Sequence, residues 1–172
     1  MSNLHIENLS DTRNRLLDEI SLLGYDEFNK NPNPTMWSMA QVSHHLFLTE
    51  KAFTRAIEYG LKQIPNNQVK KISLHHALDR TKKIEAPEMV IPSLEPIDVL
   101  QVIDLLNDSR NYLLTVLKTV KDKSILEEKS VVHPVFGELS LDQWVELIYL
   151  HEQRHIDQIK EIKYFLGLNR NS

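Results

Sequence analysis

LDQWVELIYLHEQRHIDQIKEIKYFLG, residues 141–167, is the stretch on which the fold turns. At about 100° per residue, Trp144, Ile148, Ile159, Ile162 and Leu166 fall on one side of a helix. This stripe predicts an amphipathic helix from Ser140 or Leu141 to Leu166, ended by Gly167. His151 and His155 lie in the centre of the same stripe, within about 20° of Trp144 and Ile162. Both imidazoles therefore point at whatever this helix packs against. Buried imidazole nitrogens need partners. One divalent cation satisfies both rings at once, because side chains four apart are neighbours on a helix; carbonyls or ordered waters satisfy them one nitrogen at a time.

Three further segments carry apolar residues at helical spacing. Residues 4–23 place Leu9, Leu16, Ile20 and Leu23 on one stripe, with Gly24 as the expected stop. After the turn-rich NKNPNPTMW, a second helix opens at Ser38 with Gln41 three positions on, a capping box, and with Trp37 and Val42 placed as a hydrophobic staple. It continues through Leu46 and Phe53 to about Gly60. Residues 61–95 are a polar connection containing Pro65, Pro87 and Pro92, with room for a short helix at about 73–84. The third long helix starts near Pro96 and carries Val99, Val102, Ile103, Leu106, Leu113, Leu114 and Leu117; EEKSVVHPVFGE then reads as a loop. No alternating strand pattern or internal repeat interrupts this series. The expected fold is all-α, a four-helix bundle with one long crossover connection, in a single domain spanning residues 1–172.

Composition narrows the functional classes. A chain of 172 residues that is 41% hydrophobic and 26% charged is long enough to bury a core. With a net charge of -4 and no basic cluster interleaved with aromatics, it is not built to collect phosphates, so no nucleic-acid partner is expected. No apolar run approaches the length of a membrane span, and MSNLHIENLS lacks the pattern of a signal peptide, so a cytoplasmic location and no membrane partner are expected. The absence of cysteine excludes disulfides, thiolate ligands and a protein thiol nucleophile. A metal must then be held by His, Asp or Glu.

SHHL on the second helix offers a third imidazole. His44 and His45 point about 100° apart, so only one can face the core. Relative to Val42, Leu46, Thr49 and Phe53, His45 flanks the inward stripe, whereas His44 lies on the side of Lys51 and Arg55 and is expected to be exposed. His5, His75, His76 and His133 are expected to be solvated. HEQRH also spells the H-E-x-x-H of zinc proteases, but no histidine follows His155, and Gln158 stands where an extended protease motif requires a turning glycine. Glu152-x-x-His155 is half of a di-iron carboxylate motif whose second half is missing. Glu152 flanks the inward stripe and is a candidate general base, with a solvated helix glutamate as the alternative. Arg110 on the third helix and Arg13 on the first interrupt apolar stripes; either suits an anionic substrate, or its stem covers the bundle while the guanidinium reaches water.

Two of these stretches carry a family likeness. WSMAQVSHHL has a tryptophan followed eight residues later by His-Leu, and HPVFGELSLDQWVELIYLHEQRHIDQ has a His-Pro, Gly, Trp, H-x-x-x-H-x-x-Q succession. Together they resemble the DinB-like superfamily, which contains bacillithiol S-transferases and is related to mycothiol-dependent maleylpyruvate isomerases. The resemblance spans nearly the whole chain. It implies an up-down-down-up type of bundle holding a divalent metal, zinc or nickel, on His45, His151 and His155, with homodimers as one form of assembly. Gln158, one turn beyond His155, then orients an imidazole by hydrogen bond or is an ordinary polar residue at a bundle edge. Three neutral imidazoles leave coordination positions open, which suits catalysis better than a closed structural site. The activity implied is transfer of a low-molecular-weight thiol such as bacillithiol to an electrophilic small molecule; Glu152 and Arg110, taken from their places on the helical stripes, are the candidate catalytic residues, Glu152 as the base if the reaction is hydrolysis. A metal-dependent hydrolase and a non-catalytic, metal-binding stress-response protein are the alternatives.

Overall fold

The computed structural model describes residues 3–66, 69–81 and 85–168. Four long helices build the bundle: α1 (Asn3–Ile20), α3 (Met39–Leu61), α4 (Val99–Thr119) and α6 (Leu141–Phe165). The short helices α2 (Tyr25–Asn29) and α5 (Ile125–Glu128) and a hairpin of β1 (Ser130–His133) and β2 (Gly137–Ser140) complete it. Helix α3 packs against both α4 and α6, and α1 packs against α6. No helix among the described residues is long and apolar enough to cross a membrane.

Local chemistry sets the helix ends. Ser38 Oγ accepts from the Gln41 amide at 3.2 Å while the Ser38 amide donates to Gln41 Oε1 at 2.9 Å, closing the capping box that starts α3. Ser140 caps α6 without the reciprocal half: its hydroxyl accepts from the Gln143 amide at 3.3 Å, while the Gln143 side chain donates instead to the Ile72 carbonyl at 2.7 Å. At the other end of α6, Gly167 takes a left-handed φ of 68°, and the Leu168 amide reaches back to the Lys163 carbonyl at 2.9 Å. Helix α4 starts at Asp98, whose carboxylate accepts from the Leu100 amide at 2.8 Å, slightly later than the Pro96 start that the sequence suggests.

Two expectations are corrected. Gly24 does not end the first helix: α1 stops at Ile20, and Gly24, with φ of -70°, is the N-cap of α2, where the Glu27 carboxylate accepts its amide at 3.0 Å. Glycine is favoured both past a helix end and at an N-cap, so the residue type alone does not decide between them. The predicted loop before α6 is the β1–β2 hairpin, with Val131 opposite Leu139 and His133 opposite Gly137. Neither strand alternates between buried and exposed residues, so no period of two marks them in the sequence. Along the crossover, the described part of the expected short helix is a single 3-10 turn, His75–Leu78, and residues 82–84 lie outside the described residues. A second such turn is Glu88–Val90.

The core has two apolar halves. One gathers Leu9, Ile57, Leu113, Trp144 and Ile148, and the other Leu16, Leu46, Leu106, Ile156 and Ile159. On every long helix, the residue separating these halves is charged.

Candidate metal centre

His45 on α3 and His151 and His155 on α6 converge between the helices, each offering one nitrogen within 4.8 Å of the others. The ring centroid of His45 is 5.2 Å from that of His151 and 4.9 Å from that of His155; the Nε2 atoms of His151 and His155 are 3.1 Å apart. His45 Nδ1 donates to the Val90 carbonyl at 2.7 Å, and His155 Nδ1 donates to Gln158 Oε1 at 2.7 Å. With these protons on Nδ1, Nε2 is the unprotonated nitrogen of both rings, turned toward the Thr49 hydroxyl in His45 and toward His151 Nε2 in His155. Trp37 packs on His45 with centroids 5.1 Å apart, and the Thr49 hydroxyl lies 3.5 Å from His45 Nε2.

Burial keeps these rings neutral. It pushes His155 down to about 3, helped by nearby His45 and opposed by the hydrogen bond to Gln158. It also pushes His151 well below the usual imidazole range, reinforced by His155 and His45, and it lowers His45 against the pull of the Val90 carbonyl. Neutral imidazole is the form that binds metal. Three nitrogen donors, two of them fixed by outward hydrogen bonds to protein oxygens, are a donor set that fits a divalent transition metal.

The crossover is stitched down beside this site by consecutive histidines. While His45 holds Val90, His44 Nδ1 accepts the Ser93 amide at 3.1 Å, which leaves His44 half-buried and not freely exposed. Arg154 Nη1 donates to the Ala77 carbonyl at 3.2 Å, fastening the earlier part of the same crossover to α6.

Directly below the triad lies the charged layer. Arg13 (α1), Glu50 (α3), Arg110 (α4) and Glu152 (α6) are all buried, and each arginine contacts both glutamates. Arg13 donates to Glu152 at 2.8 Å and to Glu50 at 2.7 Å, and Arg110 Nη2 donates to Glu152 at 3.0 Å. Arg13 also donates to the Leu106 carbonyl and Arg110 to the Leu9 carbonyl, so α1 and α4 clasp each other. Ser109 donates to Glu50 and Thr12 to Glu152. Burial opposes ionisation of Glu50, but Arg110 and Arg13 outweigh it and hold the carboxyl below its ordinary range.

This layer redefines three sequence candidates. Glu152 is neither a solvated helix glutamate nor a carboxylate free beside the triad, because Thr12, Arg13 and Arg110 all donate to it. Arg110 and Arg13 neither reach water nor wait for an anion, since their guanidinium groups are spent on Glu50 and Glu152. Glu50 escaped the sequence reading altogether. Its signal is a charge interrupting the apolar stripe of α3 as Arg13 and Arg110 interrupt theirs.

The other histidines divide. His75 and His76 are exposed as expected. His5, expected in solvent, is buried with Nε2 3.2 Å from Asp142 Oδ1. His133 is also buried, packed on Trp144 and Phe53 with centroid separations of 5.0 and 5.6 Å, and burial lowers it to about 4. The hairpin that the sequence hides carries it there.

The DinB superfamily matches this chain over residues 8–159. The chain belongs to that superfamily. YuaE of Bacillus subtilis strain 168, described as uncharacterized, is 29% identical over 154 residues, covering 90% of this chain and 94% of its own length. Two solved structures share the fold. TT2238, a four-helix bundle protein, superposes with a TM-score of 0.62 at 18% identity, covering 92% of this chain and 98% of its own. YfiT of Bacillus subtilis, described as a probable metal-dependent hydrolase with an unusual four-helix bundle topology, gives 0.65 at 16% identity, covering 96% of this chain and 87% of its own. A DinB-type bundle with a three-histidine cluster is thus the frame within which function is read.

Proposed function

We propose that this protein is a divalent-metal-dependent enzyme that transfers a low-molecular-weight thiol of the bacillithiol kind to an electrophilic small molecule. The observation that carries the metal is the convergence of His45, His151 and His155, with two of the three rings already tied back through Nδ1. Zinc or nickel suits three imidazoles, and such an ion lets a thiol or a water lose its proton near neutral pH. The chain's own part is to hold three neutral rings in place, to wall the site with Trp37 and Phe53, and to keep its charged side chains committed to one another. In the transfer, a sulfur–carbon bond forms as the bond to the leaving group breaks, and the thiol proton departs with that group. Lack of cysteine supports this reading, since no protein thiol competes for the electrophile.

A second reading is hydrolysis, favoured by the description of YfiT as a probable metal-dependent hydrolase. One experiment separates the two. Protein loaded with zinc or nickel is mixed with a generic electrophile such as monochlorobimane plus bacillithiol, plus other thiols, or in water alone, and the wild type is compared with His151→Ala. Thiol-dependent consumption that falls at least about 100-fold in the variant and disappears with a chelator is expected. Consumption in water alone selects the hydrolase. No turnover that depends on His151 overturns both and leaves a metal-binding protein without catalysis.

A further inference from the structure

His151 differs from its two companions in one respect. His45 and His155 hand their Nδ1 protons to protein oxygens, whereas the hydrogen bond that His151 makes among the described residues is through Nε2, to His155, and none is made by its Nδ1. Beside this ring is a cavity of about 10 Å³ whose polar wall is Arg13, Thr49, Glu50, His151 and Glu152. That volume holds one water, and the wall offers the two to four polar partners that a buried water needs. A metal-bound imidazole nearly always passes its second N–H to a carboxylate, a carbonyl or a water.

We propose that one ordered water in this cavity accepts the His151 Nδ1 proton in a hydrogen bond and donates to the Glu50 and Glu152 carboxylates, so that the buried charged layer orients the third ligand of the triad. Glu50 and Glu152 are then positioning residues. Helices α1 and α4, which supply no ligand, act on the site through Arg13 and Arg110, which fix those carboxylates. The water itself is independent of any metal; its orienting role rests on the metal reading given above.

Two measurements test this. A crystal structure at atomic resolution, metal-free and cobalt(II)-loaded, is expected to show one water within hydrogen-bonding reach of His151 Nδ1 and of a Glu50 or Glu152 oxygen; a dry cavity in both forms overturns the proposal. Cobalt(II) titrations followed by ligand-field absorption then compare wild type with Glu152→Gln, which changes the acceptor, and Ile148→Phe, which fills the cavity from its apolar side. Each is expected to bind cobalt(II) about 10- to 100-fold more weakly with a shifted absorption band, while exposed His76→Ala behaves as wild type. Should Glu152→Gln not fold, Ile148→Phe carries the comparison. Unchanged affinity and spectrum in a folded variant overturn the orienting role. Wild type that binds no cobalt(II) overturns the metal reading, and the orienting role with it, while the crystal still decides the water.

Discussion

Asp142, in the first turn of α6, has His5 Nε2 and Lys71 Nζ each 3.2 Å from one of its carboxyl oxygens. Burial works against its ionisation, but these two partners hold the carboxyl at about 2, below its ordinary 3.8. A carboxyl depressed on folding adds stability above its unfolded value and loses it as the pH falls through the folded one. Urea unfolding should therefore show Asp142→Asn to be about 1–2 kcal/mol less stable than wild type near pH 6, and the gap should close toward pH 2. An unchanged gap across that range would remove the ion pair as its cause. At this scale the sequence is legible where one helix decides the matter. The 100° between His44 and His45 says which ring faces inward, and the spacing of His151 and His155 says that they share a face. It is silent where partners meet across the chain, as His5 meets Asp142 or Glu50 meets Arg110, because no local periodicity encodes those meetings.

Each helix that contributes to the histidine triad starts at a serine cap, so the height of its imidazoles begins with that local hydrogen bond. Ser38→Ala removes the acceptor for the Gln41 amide in a position that is 2% exposed. It should cost about 1 kcal/mol and lower Tm by roughly 2–4 °C in calorimetry. No measurable change would mean that water replaces the cap. The cap was readable because its residues are adjacent in sequence. The hairpin was not, although it has a marked role: its β1 places the Val131 carbonyl where Trp144 Nε1 donates to it at 3.1 Å and delivers His133 to the aromatic cluster. Gly60 makes room for this, since a Cβ there would collide with Leu141 and Val131.

Across the whole molecule, the charged layer joins all four long helices at one level between two apolar halves. Deleting one member strands a buried opposite charge, which typically costs about 3–5 kcal/mol. Arg110→Met should show that loss in denaturant unfolding even without metal, because Glu50 and Glu152 both lose a donor; a loss below about 1 kcal/mol would show that water enters and compensates. The bundle was legible from four apolar stripes, yet its centre was not. Single charges on separate stripes look like separate exceptions until the fold brings them to one plane. Apolar side chains are nearly indifferent to a helix sliding along its neighbour by one turn, about 5.4 Å. Guanidinium forks are not, because after such a slip each would face hydrocarbon where it now meets carboxylate. The layer therefore acts as a detent that fixes the axial stagger of the helices, and the three imidazoles inherit their common depth from it.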